Sequence, residues 1–276
     1  MHDIEIEFRY LANTLAPNTI ATLTDSCEPD EKSHYANFTI DRGVKLRSKK
    51  SPLRVRLYEA ASADIFTVLN EKPADRLAFL RKLAARTRRE LECTLKVPTV
   101  KGKGRGELEH FIDIANQLNL GINLHSVEEF DDALRDARLR ICGAVYTERC
   151  QWNLGKLTNY SSLIVTRDAS RCHHQLNGQA REIIEVEALV SLEGEPSKTQ
   201  ITTATREAEA ALKKWITMKL GFLPESVIGT AGACIIAHDA KLARQMFAQK
   251  AIKLATLLQM VNNHELSEEK RQVIIS

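Results

Sequence analysis

The stretch from Ile183 to Val190 reads IIEVEALV, with Glu185 and Glu187 set two apart among Ile184, Val186 and Ala188. The chain opens on the same pattern. Ile4 to Leu11 reads IEIEFRYL, where Glu5, Glu7 and Arg9 alternate with Ile6, Phe8 and Tyr10. In an extended strand, residues two apart share a face. Each stretch therefore reads as a strand with one apolar and one charged face. PLRVRLYE (52–59) repeats the arrangement with Arg54 and Arg56. Taken singly, such a strand is what any half-exposed sheet contains, its charges turned to water. Two features point elsewhere. The signs segregate by strand, with carboxylates on the first and last and cations between. The apolar faces are also broad enough to need cover, which intervening helices supply. Strands apolar outside and charged inside predict a barrel whose bore is a polar cavity, flanked by helices.

The 276 residues suit one large domain or two modest ones. With 43% hydrophobic and 27% charged residues, the chain can build a core and lacks the composition of a disordered protein. Its 39 basic and 36 acidic residues nearly cancel, so nothing in the bulk charge marks a polyanion binder, and any anion site must be local. The six cysteines form no C-x-x-C pair and fit a reduced, cytosolic chain better than a disulfide framework. The opening MHDIEIEF does not have the form of a signal peptide. No apolar run approaches the ~20 residues of a membrane span.

Further strands are expected at HYANFTI (34–40), ECTLKVP (92–98), 139–154, 161–169 and 182–192. Leu77, Leu80, Leu83 and Ala84 recur at helical spacing within 73–90. A basic connector (42–51) and a glycine-lysine loop (100–106) separate strands. The segment 107–119 starts extended and becomes helical. Ser126 with Glu129 makes a capping box for a helix over 126–137. Helices are also expected at 204–221 and from about Asp239 to Val261, with GTAGAC (229–234) a turn or a small-residue packing site before a helix and the last fifteen residues a polar tail. Trp152 and Trp215 read as core residues. His173 and His174 are adjacent, and in an extended loop they would point to opposite faces.

The order IEIEFR, LRVR, TLKVP, RGELE, YTERCQW, LIVTRDAS and EVEALV resembles the CYTH superfamily, the triphosphate tunnel metalloenzymes. The likeness runs collinearly over roughly residues 3–225 and is nearest to the thiamine triphosphatase branch. Each motif alone is weak, and their order carries the specificity. The resemblance implies an α+β fold with an eight-stranded antiparallel barrel and flanking helices; this chain departs from it by a helical insert at about 62–90 in place of the family's hairpin, and adds C-terminal helices over 226–276. The resemblance implies a tunnel domain over 1–225. It also implies a triphosphate held by Arg9, Arg54, Arg56, Lys96 and Arg149, and a Mg2+ or Mn2+ ion held by Glu5, Glu7, Asp168, Glu185 and Glu187. Glu5, Glu7, Arg9 and Glu107 are the implied catalytic residues. The chemistry is coherent, because a triphosphate needs several fixed cations and a hard metal ion wants carboxylate oxygens.

The chain also departs from that pattern. Arg9 stands where the family has lysine, and Thr166 where a family carboxylate aligns. Pro52-Leu53 stands where thiamine triphosphatases carry a tryptophan, so thiamine triphosphate is not expected to be strongly preferred. Hydrolysis of a small triphosphate is the leading expectation. An RNA 5′-triphosphatase using the basic insert helix (Arg81, Lys82, Arg86, Arg88, Arg89), and a non-catalytic triphosphate or polyphosphate binder, are the alternatives.

Overall fold

The computed structural model describes residues 2–41, 53–98, 105–108, 133, 140–194, 196–250 and 252–276. The connector expected at 42–51, most of the glycine-lysine loop, all of the 107–119 segment but its first two residues, and the helix expected at 126–137 lie outside the described residues, apart from Ala133.

The strands are β1 (His2–Leu11), β2 (Glu31–Asp41), β3 (Leu53–Tyr58), β4 (Leu91–Pro98), β5 (Arg105–Leu108), β6 (Arg140–Lys156), β7 (Ser161–Cys172) and β8 (Arg181–Leu192). The helices, renumbered in chain order, are α1 (Thr19–Thr24), α2 (Ser62–Asn70), α3 (Arg76–Thr87), α4 (Lys198–Leu220), α5 (Thr230–His238), α6 (Ala240–Ala248), α7 (Leu254–Asn262) and α8 (Glu268–Ile275). The long strands form a curled antiparallel sheet in the order β4-β3-β2-β6-β7-β8-β1, with helices packed on its outside. The short β5 pairs with β4 from Leu95↔Leu108 to Pro98↔Arg105. It meets β1 at Ile4↔Gly106 and Glu5↔Arg105, so the strand order returns on itself.

Alternation decides which face is which. Ile4, Ile6, Phe8 and Tyr10 of β1 and Val186, Ala188 and Val190 of β8 are buried against α4. That helix answers with Ala204, Ala208, Leu212 and Ile216, four apart and therefore along one stripe. Further round the same outer face, Phe38, Leu53, Val55, Leu57 and Leu95 pack against Ile65 and Val68 of α2 and Leu80 and Leu83 of α3. These two helices are the insert expected at 62–90, and they cover apolar sheet.

The ends of elements differ from expectation where a cap decides them. α4 begins six residues before Ala204. Ser197 Oγ accepts from Gln200 N at 3.2 Å and Gln200 Oε1 accepts from Ser197 N at 2.8 Å, a reciprocal cap legible as S-x-x-Q. Of the two readings of GTAGAC, the packing site leading into a helix holds and the turn does not. From Thr230 it forms the first turns of α5, where a Cβ on Gly232 would meet Ile228 Cδ1 at 2.7 Å, so that any larger residue displaces the Ile228 side chain. The single helix expected from Asp239 to Val261 is two, α6 and α7, parted near Lys250, which takes a left-handed φ of 57°. The polar tail is also ordered. Ser267 caps α8 by accepting from Lys270 N, and Ile274 is buried. Together α5–α8 enclose a separate small core of Ala233, Ile236, Ala243, Leu257, Met260 and Ile274. No described helix is long and apolar enough to cross a membrane.

α5 lies across one end of the inner face. Thr39, Gly143 and Val145 share that face with Asn37 and Arg149 by alternation. They line a cavity of about 160 Å3 with Ala231, Cys234, Ile235 and His238. The adjacent histidines do not diverge as an extended loop would make them. Residues 173–175 form a 3-10 turn, and the rings of His173 and His174 lie 3.8 Å apart, with His174 and His238 at 5.0 Å. His173 Nδ1 sits 3.3 Å from Ala144 N. Burial and the neighbouring His174 lower the His173 pKa from 6.5 to about 4, and burial lowers His238 as well.

A histidine kept neutral by the fold but protonated when unfolded weakens the fold in acid. Between 6.5 and about 4 the unfolded chain binds the extra proton, so this contribution is intact above 6.5 and is lost as pH falls through the window. The melting temperature should fall between about pH 7 and about pH 4.5, and His173→Gln should flatten part of that fall. An identical profile in the variant would show that His173 titrates as a solvated side chain.

Candidate anion and metal site

The inner face collects the charged members of the alternating strands. β1 places Glu5, Glu7 and Arg9 there, and the β1–β8 register sets Glu7 opposite Glu187 and Arg9 opposite Glu185. β6 and β7 set Arg149 opposite Asp168, and β7 and β8 set Thr166 opposite Glu185. β2 and β3 set Asn37 opposite Arg56. Residues distant in sequence therefore meet because neighbouring strands run antiparallel with this register.

Arg149 is held most tightly. Its Nε and Nη2 donate to Asp168 Oδ1 and Oδ2 at 2.7 and 2.6 Å, a bidentate pair, and Nη2 also reaches Glu185 Oε2 at 3.2 Å. Arg9 Nε donates to Glu185 Oε1 at 2.5 Å, and Arg9 also pairs with Glu7. Glu185 thus bridges two guanidinium groups. Burial opposes the charge on Arg9, but Glu7 and Glu185 more than offset it and hold the guanidinium above its ordinary pKa. Burial pushes the Asp168 carboxyl up; Arg149 pulls it back, and the like charge of Glu185 adds to the rise.

A second group forms on β3 and β4. Arg56 donates to Asn37 Oδ1 at 3.1 Å and to Tyr58 OH at 2.9 Å, and Tyr58 OH donates to Glu92 Oε2 at 2.6 Å. Glu92 also lies 3.9 Å from Arg54 and accepts from Thr94. Burial alone would raise the Glu92 pKa; Arg56 and the two hydroxyl donors reverse this and lower it. Tyr35 joins the two groups, with the Arg56 guanidinium 4.3 Å and that of Arg149 5.7 Å from its ring centre. Burial pushes the Tyr35 hydroxyl up to about 12, against Arg149. The sequence reading did not single out Glu92, Tyr58 or Asn37. The period-two run Glu92, Thr94, Lys96 carried the signal for Glu92, whereas Tyr58 and Asn37 show only through cross-strand register.

Glu7, Glu185 and Glu187 bring carboxylate oxygens within 4.8 Å of one another, the one such grouping of potential ligands among the described residues. Beside them Thr166, 1% exposed, buries a hydroxyl oxygen with no hydrogen-bond partner. Three carboxylates and a waiting hydroxyl suit a hard, oxygen-seeking cation. Arg9 and Arg149 already engage Glu7 and Glu185, so a cation here would share or displace those bonds. The other expected ligands stand differently. Asp168 is turned to Arg149, and Glu5 shares the face of Glu7 without joining the trio. Lys96 and Glu107 are opposite one another in the β4–β5 register, and their side chains lie outside the described residues.

The strand of chain before α5 closes on this site. Val227 N donates to Arg9 O at 2.8 Å, and Arg9 N donates to Ser226 Oγ at 3.2 Å. A Cβ on Gly229 would lie 3.6 Å from Arg9 Cζ.

No family model matches the chain. No curated protein matches it either. Solved structures similar to it include CYTH-type adenylate cyclase-like proteins and viral RNA triphosphatases. HpAC1 from Hippeastrum, an adenylyl cyclase-like protein with a dominant triphosphatase activity, is 16% identical, with 85% of this chain and 95% of that one covered and a TM-score of 0.41. The RNA triphosphatase domain of a trifunctional mimivirus mRNA capping enzyme is 14% identical, covering 75% and 88%, also at 0.41. A chain of the Schizosaccharomyces pombe Mediator head module is 13% identical, covering 81% and 97%, again at 0.41. At this identity and superposition, likeness says nothing of what this chain binds.

Arg149→Met should be costly, because it strands Asp168 as a buried carboxylate and leaves Glu185 to Arg9 alone. One-sided removal of such a pair typically costs ~3–5 kcal/mol. Adding Asp168→Asn should recover part of the loss in denaturant titrations. Equal stability of wild type and Arg149→Met would mean that the pair is solvated.

Proposed function

We propose that this protein is a metal-dependent triphosphatase acting on a small triphosphate, with the curled sheet closed by β5 as an eight-stranded tunnel. The observation that carries this reading is the inner face itself: guanidinium groups from three strands, Arg9, Arg54, Arg56 and Arg149 counting β1, β3 and β6, gathered beside a trio of carboxylates. A chain of phosphates matches such a surface, since planar guanidinium forks suit phosphate oxygens and the tyrosine rings order them. On this reading, residues 1–225 form the tunnel domain and 226–276 an extension across one end. Thiamine triphosphate, inorganic tripolyphosphate and nucleoside triphosphates are the candidate substrates.

Glu7, Glu185 and Glu187 would hold Mg2+ or Mn2+, with Glu5 and Asp168 in reach of the same face. Bound there, a divalent ion supplies charge neutralisation on the phosphate oxygens. Arg54, Arg56, Arg149 and Lys96 bind and orient the anion. Arg9 fixes Glu7 and Glu185 in place. Glu5 and Glu107 are the carboxylates proposed to take a proton from attacking water.

The RNA alternative is weaker on structural grounds. The insert helix α3 lies over the outer core, and Arg89, just beyond it, pairs with Asp64 at 2.5 Å. A nucleic-acid track there would have to break that pair. A preference for thiamine is not expected, because Phe38 is buried outward and Tyr35 is engaged by two arginines.

Tripolyphosphate with Mg2+ should raise the melting temperature more than orthophosphate does, since a ligand selective for the folded state stabilises it by mass action. Arg56→Ala should remove most of that shift and Arg86→Ala should not. Phosphate release should need Mg2+ or Mn2+ and be lost in Glu187→Gln. Turnover persisting in chelator, or a shift unaffected by Arg56→Ala, would refute the reading. A shift retained without any turnover would favour a non-catalytic phosphate binder. Thiamine triphosphate and tripolyphosphate should have similar kcat/KM; a missing aromatic platform forgoes ~1–3 kcal/mol.

A further inference from the structure

The cations of the inner face are paired in two different ways, and the pairing on β3 and β4 is the looser. Arg149 meets Asp168 through two direct hydrogen bonds of 2.7 and 2.6 Å. Glu92 instead stands 3.9 Å from Arg54 Nη2 and 3.8 Å from Arg56 Nη1, beyond direct hydrogen-bond reach of either. Its hydrogen bonds come from hydroxyls: Tyr58 OH donates to Oε2 at 2.6 Å, and Thr94 Oγ1 donates to Oε1. The β3–β4 register accounts for this. Glu92 lies opposite Arg56 and Thr94 opposite Arg54, so the four share the inner face with Tyr58. Arg56 is held by Asn37 Oδ1 at Nε, by Tyr58 OH at Nη1 and by the Tyr35 ring, 4.3 Å away. Its Nη2 donates to none of the described residues and is the nitrogen left for a ligand.

We propose that Glu92 is a proton-linked counterion of the anion site: it neutralises Arg54 and Arg56 when the site is empty and takes up a proton when an anion binds them. Resting on the triphosphate reading above, this role adds control of the same site by pH. Among the described residues, the charged and titratable groups around the Glu92 carboxylate are Arg54, Arg56 and Tyr58 of β3, with Tyr35 of β2 against Arg56.

The Glu92 side chain is 21% exposed, and burial opposes its charge. Arg56, the hydroxyls of Thr94 and Tyr58, and Arg54 reverse this and hold its pKa below the ordinary carboxylate value. That balance depends on the two cations a phosphate chain would occupy. An anion drawn to Arg54 and Arg56 offsets their field at Glu92 and adds its own repulsion, while the burial remains. The carboxyl therefore becomes easier to protonate in the complex than in the empty protein. Between those two pKa values one proton from water enters with the anion and stays on the carboxyl, so binding strengthens as pH falls and weakens as it rises. A fully coupled proton changes the affinity by up to about tenfold per pH unit.

The test uses the full chain with Mg2+ and a methylene-bridged tripolyphosphate that cannot be hydrolysed. Calorimetric titrations at about pH 5.5, 6.5 and 7.5, in buffers of different ionisation heat, give both the affinity and the protons taken up. Wild type should take up more protons than Glu92→Gln, a comparison in which protons carried by the ligand itself cancel. The variant should bind several-fold more tightly than wild type at the highest pH, and the gap should close as pH falls. Tyr58→Phe removes one donor to the carboxylate, so its gain in affinity should begin at higher pH than in wild type; this arm decides the matter where Glu92→Gln does not fold. Equal proton uptake and parallel pH profiles in wild type and Glu92→Gln, or a Tyr58→Phe profile superimposed on that of wild type, would overturn the proposal and leave the anion site standing. No binding of the analogue to wild type at any of these pH values would overturn the anion-site reading and this role with it.

Discussion

Buried guanidinium groups must be paired, and that requirement organises the inner half of this fold. Arg149 is neutralised by Asp168 from β7 and Glu185 from β8, and Glu185 passes on to Arg9 of β1, which also holds Glu7. This chain of charge joins four strands through side chains as well as backbone. Each link is worth little as a source of stability, because desolvation consumes most of the attraction. Its weight lies in what happens when a link is missing: an unpaired charge inside the sheet costs several kcal/mol, of order the margin by which a domain is folded. Register is therefore fixed twice, once by the apolar faces against α2, α3 and α4, and once by the charges. A one-residue slip of β8 would put Val186 inward and Glu185 against α4, defeating both at once.

The parts of this arrangement legible in the sequence were those written in local period. Strands β1, β3 and β8 announce themselves by alternation, and the same alternation separated Glu5, Glu7, Arg54, Arg56, Glu185 and Glu187 from the apolar residues between them. Which carboxylate meets which arginine was not legible. Asp168 was expected beside a metal ion, and its pairing as the bidentate partner of Arg149 was not foreseen, because it follows from the β6–β7 register that places them directly opposite. Register between distant strands is a non-local property, and no single stretch encodes it. Glu92 was passed over for the same reason, since its importance arises from Arg56 and Tyr58 on the neighbouring strand.

The C-terminal quarter was the least legible. Its helices are short and several begin at residues that read as loop, such as Gly229 and Ser267. The glycines of GTAGAC left a turn and a small-residue packing site both open, and Gly232 lies within α5 against the Ile228 side chain. The sequence in fact contains two caps of ordinary form, Ser197 with Gln200 and Ser267 ahead of two glutamates, and both mark true helix starts. Short helices with weak apolar stripes are stabilised by packing more than by propensity. Their existence depends on a shared core around Leu257 and Met260 and on docking across the inner face through Cys234 and His238, neither of which has a local signature.

The site has a further property that follows from its pairing. Glu7 and Glu185 are occupied by Arg9 and Arg149, so neither the carboxylates nor the cations present themselves unmodified to a ligand. On the triphosphate reading, an anion that recruits Arg9 and Arg149 loosens their hold on these carboxylates and frees oxygen atoms for a divalent cation. The converse holds equally: a cation taking up Glu7, Glu185 and Glu187 releases guanidinium groups toward the phosphates. Thermodynamic linkage makes the two effects equal in size, so anion and metal should each raise the affinity for the other. The orphaned hydroxyl of Thr166, opposite Glu185, waits on the cation side of this exchange. An inner face neutral by internal pairing avoids the repulsion of bare like charges when empty, yet it keeps both signs within reach of a ligand that carries both.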